Sequence, residues 1–138
     1  PSDAWDHEAG VIVGQDISDR KVQFAAKPPH FDLGKSFDTF GPIGPVLVSV
    51  DEIADRDNLR IVCAVNGEVR QDGDASRLIY DEAHIIRSLS SVMTLRAGDV
   101  VLTGTPDGVG HAKGKYLKRG DVVEASIEGI GVLRNPVE

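Results

Sequence analysis

Leu59-Arg60-Ile61-Val62-Cys63-Ala64-Val65-Asn66-Gly67-Glu68-Val69-Arg70-Gln71 is the stretch that decides the fold. Leu59 to Val65 is an apolar run of strand length. Asn66-Gly67 supplies the two residues that most readily take the positive φ values of a type I′ turn. Glu68 to Gln71 then returns, so the stretch is expected to be an antiparallel β-hairpin. Cys63 alternates with Ile61 and Val65, which makes it a buried packing residue of the first strand.

Working outward, short β-runs recur on both sides. Towards the amino terminus, Ser2 to Ala9 is expected to form a short helix, capped by Ser2 or Asp3, anchored by Trp5 and ended at Gly10. His7 and Glu8 are read as surface residues. Val11 to Asp16 reads as a strand, Gly41 to Pro45 as a turn, and Val46 to Val50 as a second short strand. Asp51 to Asn58 is a charged surface connection. Lys27 to Phe40 holds too many Pro, Gly and polar residues for regular structure, and loops of that length in a compact domain are often functional.

Towards the carboxyl terminus, Asp72 to Arg77 reads as a polar loop. Asp81 to Thr94 is the one main helix, with Asp81 as its cap and Ile85, Ile86, Leu89, Val92 and Met93 as its apolar stripe. Met93 is expected to fill core. Arg96-Ala97-Gly98-Asp99 and Lys118-Arg119-Gly120-Asp121 are turns of the same kind. Val100 to Leu102 reads as a buried strand, Val122 to Ile127 as an alternating one, and Gly129 to Arg134 as the end of a final hairpin. There is no repeat, low-complexity tract or domain boundary, so residues 1–138 read as one domain.

Composition sets bounds. The chain of 138 residues is long enough to bury a real core, and its hydrophobic fraction is that of a globular protein. A formal net charge of −7 with no basic stripe argues against a nucleic-acid backbone as partner. It leaves room for a small anionic substrate held by a local Arg/Lys pair. No membrane-spanning run or signal peptide is present. A single cysteine points to a reduced, cytoplasmic setting. The chain opens on Pro1 rather than Met, so a piece of something longer is expected.

Two stretches carry candidate chemistry. In Val13 to Lys35 a β-run stops in Gln15, Asp16, Ser18, Asp19, Arg20, Lys21 and Gln23, and a loop with Pro28 and Pro29 then delivers Lys35. Such a cluster is either a solvated strand end or a way to hold an oxyanion or a metal-bound substrate. Thr103-Gly104-Thr105-Pro106-Asp107-Gly108-Val109-Gly110 follows an apolar run, but it lacks the Gly-Lys-Ser/Thr of a nucleotide phosphate loop. It is either a tight turn or a loop whose glycines let backbone N–H groups approach a ligand oxyanion. His7, His30, His84 and His111 show no metal-ligand spacing, and no Ser sits in a nucleophile-elbow pattern. Any metal would find carboxylates, which favour Mg²⁺, Mn²⁺ or Ca²⁺.

Six blocks in register resemble the fumarylacetoacetate hydrolase family. They are Gly14 to Arg20 with Gln23, Lys35 to Phe40 with Gly44-Pro45, Val65 to Glu68, Met93 to Asp99, Leu102 to Gly110, and Gly120 to Val123 with Glu128 to Gly131. The wording is nearest the bacterial acylpyruvate hydrolases, hydroxyheptadienedioate isomerases and related decarboxylases. The resemblance implies an α+β, β-rich rolled sandwich of mixed and antiparallel strands with one main helix. It also implies a homodimer and a Mg²⁺ or Mn²⁺ cofactor, with Ca²⁺ as an option.

By the same resemblance Asp16 matches the third ligand of a Glu-x-Glu plus Asp metal set. Arg20 and Gln23 match substrate-contacting residues, Lys35 the family lysine, and Thr105, ahead of Thr103, the substrate-binding threonine. The Glu-x-Glu pair and a water-activating His-Glu dyad fall before the first residue of this chain. Asp19 and Lys21 replace the commoner Ala and Asp.

The implied chemistry acts on 2-oxo or 1,3-dicarbonyl acids through a metal-stabilised enolate. Hydrolytic C–C cleavage of an acylpyruvate or fumarylpyruvate is the first expectation, and isomerisation or decarboxylation the alternative. Alone, the chain is expected to be inactive. It is then a catalytic half completed elsewhere, or a non-catalytic fragment with a folding or interaction role.

Overall fold

The computed structural model describes residues 3–138. Among the described residues six strands form two sheets: β1 (Gly10–Gly14) with β2 (Ile43–Ser49), and the order β4-β3-β5-β6 for Glu68–Asp74, Arg60–Val65, Val122–Ile127 and Gly131–Pro136. All four pairings are antiparallel. Two helices accompany them, α1 (Arg20–Gln23) and α2 (Glu82–Ser90). The result is the α+β, β-rich architecture expected, with α2 as the main helix.

The Asn66-Gly67 hairpin forms as the residues dictate. Asn66 and Gly67 take φ of 52° and 79°, and β3 and β4 run antiparallel on either side. Asn66 is then tied across the sheet, because its side-chain amide donates to Asp121 Oδ1 at 2.9 Å and its Oδ1 accepts from Val122 N at 2.8 Å. The two sheets meet where Val13 of β1 packs on Ala125 of β5 and Ile130 of the β5–β6 turn. Val11, Val48, Ile53, Ile127 and Leu133 close around them. Cys63 is buried and free, as its alternation implied.

Several boundaries differ from the sequence reading. Residues Ala4–His7 make one 3₁₀ turn, the Asp3 side chain accepts no capping hydrogen bond from it, and Gly10 already belongs to β1. The alternative cap, Ser2, lies outside the described residues. Glu8 is not a surface residue: its side chain is only 15% exposed and pairs with Arg56. Strand β2 starts at Ile43 and carries Pro45. The register jumps there from Ile12↔Leu47 to Val13↔Gly44, so Pro45, which has no N–H to give, sits in a bulge.

Helix α2 is capped by Asp81, whose Oδ1 accepts from His84 N at 2.6 Å, but it stops at Ser90 rather than Thr94. Ser91 Oγ donates to the Ser88 carbonyl at 2.7 Å, the competition by which serines end helices. Val92 and Met93 are left exposed, so Met93 is not core filler. Val100 to Leu102 is not a buried strand either. It finds no strand partner among the described residues, and Val100 and Leu102 are about half exposed. An apolar run of three residues does not by itself specify a ladder.

Candidate active site

Asp16 follows β1 directly, and what comes after it is unusually constrained for a loop. Asp19 caps α1 through Oδ1, which accepts from Lys21 N at 2.8 Å and Val22 N at 3.0 Å. Asp19 is also fastened to the later 3₁₀ turn Leu33–Lys35, since its N–H donates to the Gly34 carbonyl at 2.7 Å. Gly34 is buried against this turn of helix. A Cβ there would lie 3.0 Å from Asp19 O and 3.1 Å from Gln23 N, so any larger residue would push these neighbours back by a few tenths of an ångström. His30 N–H donates to the Gln23 carbonyl at 3.1 Å and closes the excursion between. The chain therefore returns to Asp16 by a defined route.

That route places Lys35 on Asp16. The Lys35 ammonium donates to Asp16 Oδ2 and, at 3.0 Å, to Ser18 Oγ. Its side chain is 25% exposed and that of Asp16 46%, so the pair is open on one side. One turn away the Arg20 guanidinium donates to Gln23 Oε1. Gln23 is fully buried, and its Nε2 has no acceptor among the described residues. A buried amide donor left without a partner is rare, and an oxygen atom brought to it would satisfy it. Gln15, just before Asp16, lines an apolar cleft of about 220 Å³ with Gly41, Ile43, Val100 and Leu102.

Thr105 is held separately. Gln71 Nε2 donates to Thr105 Oγ1 at 2.8 Å and to the Pro106 carbonyl at 2.7 Å. Strand β4 bulges at Arg70, between the pairs Cys63↔Gln71 and Ala64↔Val69, and Gly108 presses into that bulge. A Cβ on Gly108, whose φ is 112°, would come within 2.0 Å of Arg70 O. The glycine-rich loop is thus a shaped element docked on β4. The structure brings Asp16, Ser18 and Lys35 together and joins Arg20 to Gln23. No hydrogen bond or ion pair links Thr105 to Asp16 or Lys35 among the described residues. Leu102, three residues before Thr105, sits over Gly14, where an added Cβ would be 3.0 Å from Leu102 Cδ2.

Sequence reading missed Ser18 as a partner of Lys35, Gly34 as the close-packing point, and Gln71 as the anchor of Thr105. Only Gly34, a glycine directly before the key lysine, left a local trace.

The carboxylate of Asp16 has the hardness that Mg²⁺ or Mn²⁺ prefers. It is one carboxylate: among the described residues no three His, Cys, Asp or Glu side chains gather as a metal set.

The fumarylacetoacetate hydrolase C-terminal family model matches residues 1–138. The chain is 44% identical over 138 residues to a mitochondrial oxaloacetate tautomerase, FAHD2A, of Bos taurus, covering 99% of this chain and 44% of that protein. It is 44% identical over 137 residues to the oxaloacetate tautomerase YisK of Bacillus subtilis, covering 98% of this chain and 45% of that protein. Among solved structures, a fumarylacetoacetate hydrolase from psychrophilic Exiguobacterium antarcticum superposes with a TM-score of 0.93 at 42% identity. That match covers 100% of this chain and 50% of the other. The chain spans less than half the length of the two tautomerases, and over that span fold, motif order and sequence agree: it belongs to the fumarylacetoacetate hydrolase family.

Proposed function

We propose that this chain carries the enolate-stabilising part of an enzyme that interconverts keto and enol forms of a small 2-oxo dicarboxylic acid, with oxaloacetate the first substrate to test. The observation that carries the proposal is the Lys35–Asp16–Ser18 arrangement, a cation fixed at the open end of a strand by a glycine-dependent loop. The likeness to two oxaloacetate tautomerases over nearly the whole chain supports it.

Removing a proton beside a 2-oxo group throws negative charge onto the oxygen. A prepositioned ammonium at that oxygen stabilises the charge without having to reorganise. Lys35 is held by Asp16 and Ser18 and so starts in place. Arg20 would pair with a substrate carboxylate, with Gln23 holding its guanidinium on the same wall of the pocket. Thr105 would donate to a substrate oxygen from the β4 side. Asp16 would be this chain's ligand to a divalent cation, which when bound supplies Lewis-acid polarisation of the oxo group. Hydrolytic C–C cleavage passes through the same enolate, and the likeness to the Exiguobacterium hydrolase keeps it as the second reading.

Ile43, Val46 and Leu47 of β2 and Val132 of β6 are about half exposed, and a homodimer would cover such surface. No helix among the described residues is long and apolar enough to cross a membrane. A reducing compartment such as the cytoplasm suits the free thiol of Cys63.

The test uses the protein as the cell makes it, with Mg²⁺ or Mn²⁺, and follows loss of enol absorbance from oxaloacetate. Acylpyruvate cleavage, read as pyruvate release, is run beside it. Faster ketonisation without pyruvate release supports the tautomerase. Pyruvate release on its own moves the assignment to hydrolysis. Neither activity would leave a non-catalytic binding role.

A further inference from the structure

We infer that His111 is a positioning residue. With Phe24 and Tyr116 it forms an aromatic clasp that holds the loop bearing Thr105 against the helix bearing Arg20 and Gln23. The inference rests on the reading of those three residues as substrate-binding.

Phe24 is the residue that ends α1, and its N–H donates to the Arg20 carbonyl at 3.1 Å. Its ring stacks on that of His111 with centroids 4.9 Å apart and planes 18° from parallel. His111 belongs to the 3₁₀ turn Gly110–Lys113, which begins where the glycine-rich loop ends. On its other side His111 Nδ1 lies 3.1 Å from the Tyr116 hydroxyl, within hydrogen-bond reach, and the two rings meet tilted at 6.0 Å. One imidazole is therefore fixed from two directions by chain segments far apart in sequence.

The turn that presents His111 is stiff. Gly114 closes it in the left-handed region at φ 63°, its N–H donating to the His111 carbonyl at 3.1 Å. Lys115 N–H donates to the Gly110 carbonyl at 2.8 Å, and a Cβ on Gly110 would fall 2.2 Å from Lys115 O. The loop from Thr103 to Gly110 is thus anchored twice. Gln71 and the bulge at Arg70 hold its middle on β4, and His111 holds its end on α1. The second anchor sets the distance between Thr105 and the Arg20–Gln23 pair, which no direct hydrogen bond between them sets.

An aromatic pair of this geometry contributes an effect that reads as about two- to tenfold in an equilibrium. In the natural protein, His111→Ala should raise KM for the oxo acid by about two- to tenfold and leave kcat within about twofold. Amide hydrogen exchange should quicken in residues 103–110 and 20–24. His111→Phe keeps the stack and should bring KM back towards the natural value, while Tyr116→Phe, which loses only the hydrogen bond, should fall between. The two phenylalanine variants keep the test available if the alanine variant folds poorly. Unchanged exchange in 103–110 would overturn the clasp itself. Faster exchange with unchanged KM would overturn the positioning role and point to a misreading of Arg20, Gln23 and Thr105 rather than of the clasp.

Discussion

Two of the clusters where acid meets base are built oppositely. At one, Arg56 lies over the Trp5 ring, 4.4 Å from its centroid, and donates to Glu8 Oε2 at 3.3 Å. Glu82, the first residue of α2, brings a second carboxylate, whose Oε2 is buried without a hydrogen-bond partner. Burial, reinforced by the Glu8 charge, pushes the Glu82 carboxyl up to about 7. Burial also raises Glu8, against the pull of Arg56. At the other cluster Asp16 and Lys35 pair in the open, on backbone that Gly34 and Asp19 hold in place.

Raised carboxylates in a structure invite a functional reading. Here they mark the joint between the amino-terminal turn and α2, where one guanidinium pairs with Glu8, leaves Glu82 Oε2 without a hydrogen-bond partner, and lies over an indole face. The open cluster has two attributes a substrate needs: access and a fixed cation. Access and a rigidly held cation distinguish the open cluster; an unpartnered buried atom and a perturbed carboxyl occur at the closed one as well.

The comparison can be broken most sharply at Lys35. Lys35→Met should leave the circular dichroism unchanged and lower kcat by about 10²–10³, the loss typical of one oxyanion donor. An effect confined to KM would demote Lys35 to substrate binding. Next in size is Asp16→Asn. Replacing an anionic hard ligand with a neutral amide should weaken Mn²⁺ binding by at least about tenfold, measured by calorimetry. Equal affinity would remove Asp16 from the metal set.

Gly34→Ala should cost about 1–3 kcal/mol in denaturant unfolding, because Asp19 and Gln23 must retreat from the new methyl. It should lower activity further than that instability explains, by moving Lys35. A neutral substitution there would mean that the return route is looser than its contacts imply.

The smallest effect belongs to the closed cluster. Glu82 has a folded pKa of about 7 against an ordinary value of 4.5, so the folded state holds its proton over that window while the unfolded state has released it. Stability from this group is present below about pH 4.5 and is lost as pH rises through 7. Glu82→Gln should therefore be more stable than the parent at pH 8. The gain should be about 1 kcal/mol or less, since half of the group sees solvent and screening reduces it. It should match the parent near pH 4. A gain at pH 4 that vanishes at pH 8 would reverse the sign and refute the assignment.

How much was legible beforehand follows from the range of each interaction. Asn66-Gly67 announced its hairpin because a two-residue turn is encoded in two residues. Val122 to Ile127 and the cap at Asp81 are local in the same way. The helix end at Ser90 was missed because apolar spacing continues to Met93 while the serine hydroxyls compete for backbone. Val100 to Leu102 was misread because three apolar residues carry no information about a partner strand. At the candidate site, the motif blocks pointed to Asp16, Arg20, Gln23, Lys35 and Thr105. The partners Ser18 and Gln71 come from contacts 17 and 34 residues away, which spacing does not encode. The Glu8–Arg56–Glu82 joint is of the same long-range kind, which is why Glu8 looked like surface.

The central claim is that the open cluster, and not the closed one, stabilises an enolate. Exchange of the C3 hydrogens of oxaloacetate for deuterium, followed by proton NMR in D₂O, reads enolate formation whether the later step is ketonisation or cleavage. The natural protein should speed this exchange above the buffer rate. Lys35→Met should return it close to that rate, and Glu82→Gln should exchange as fast as the parent. Full exchange in Lys35→Met, or its loss in Glu82→Gln, would contradict the account.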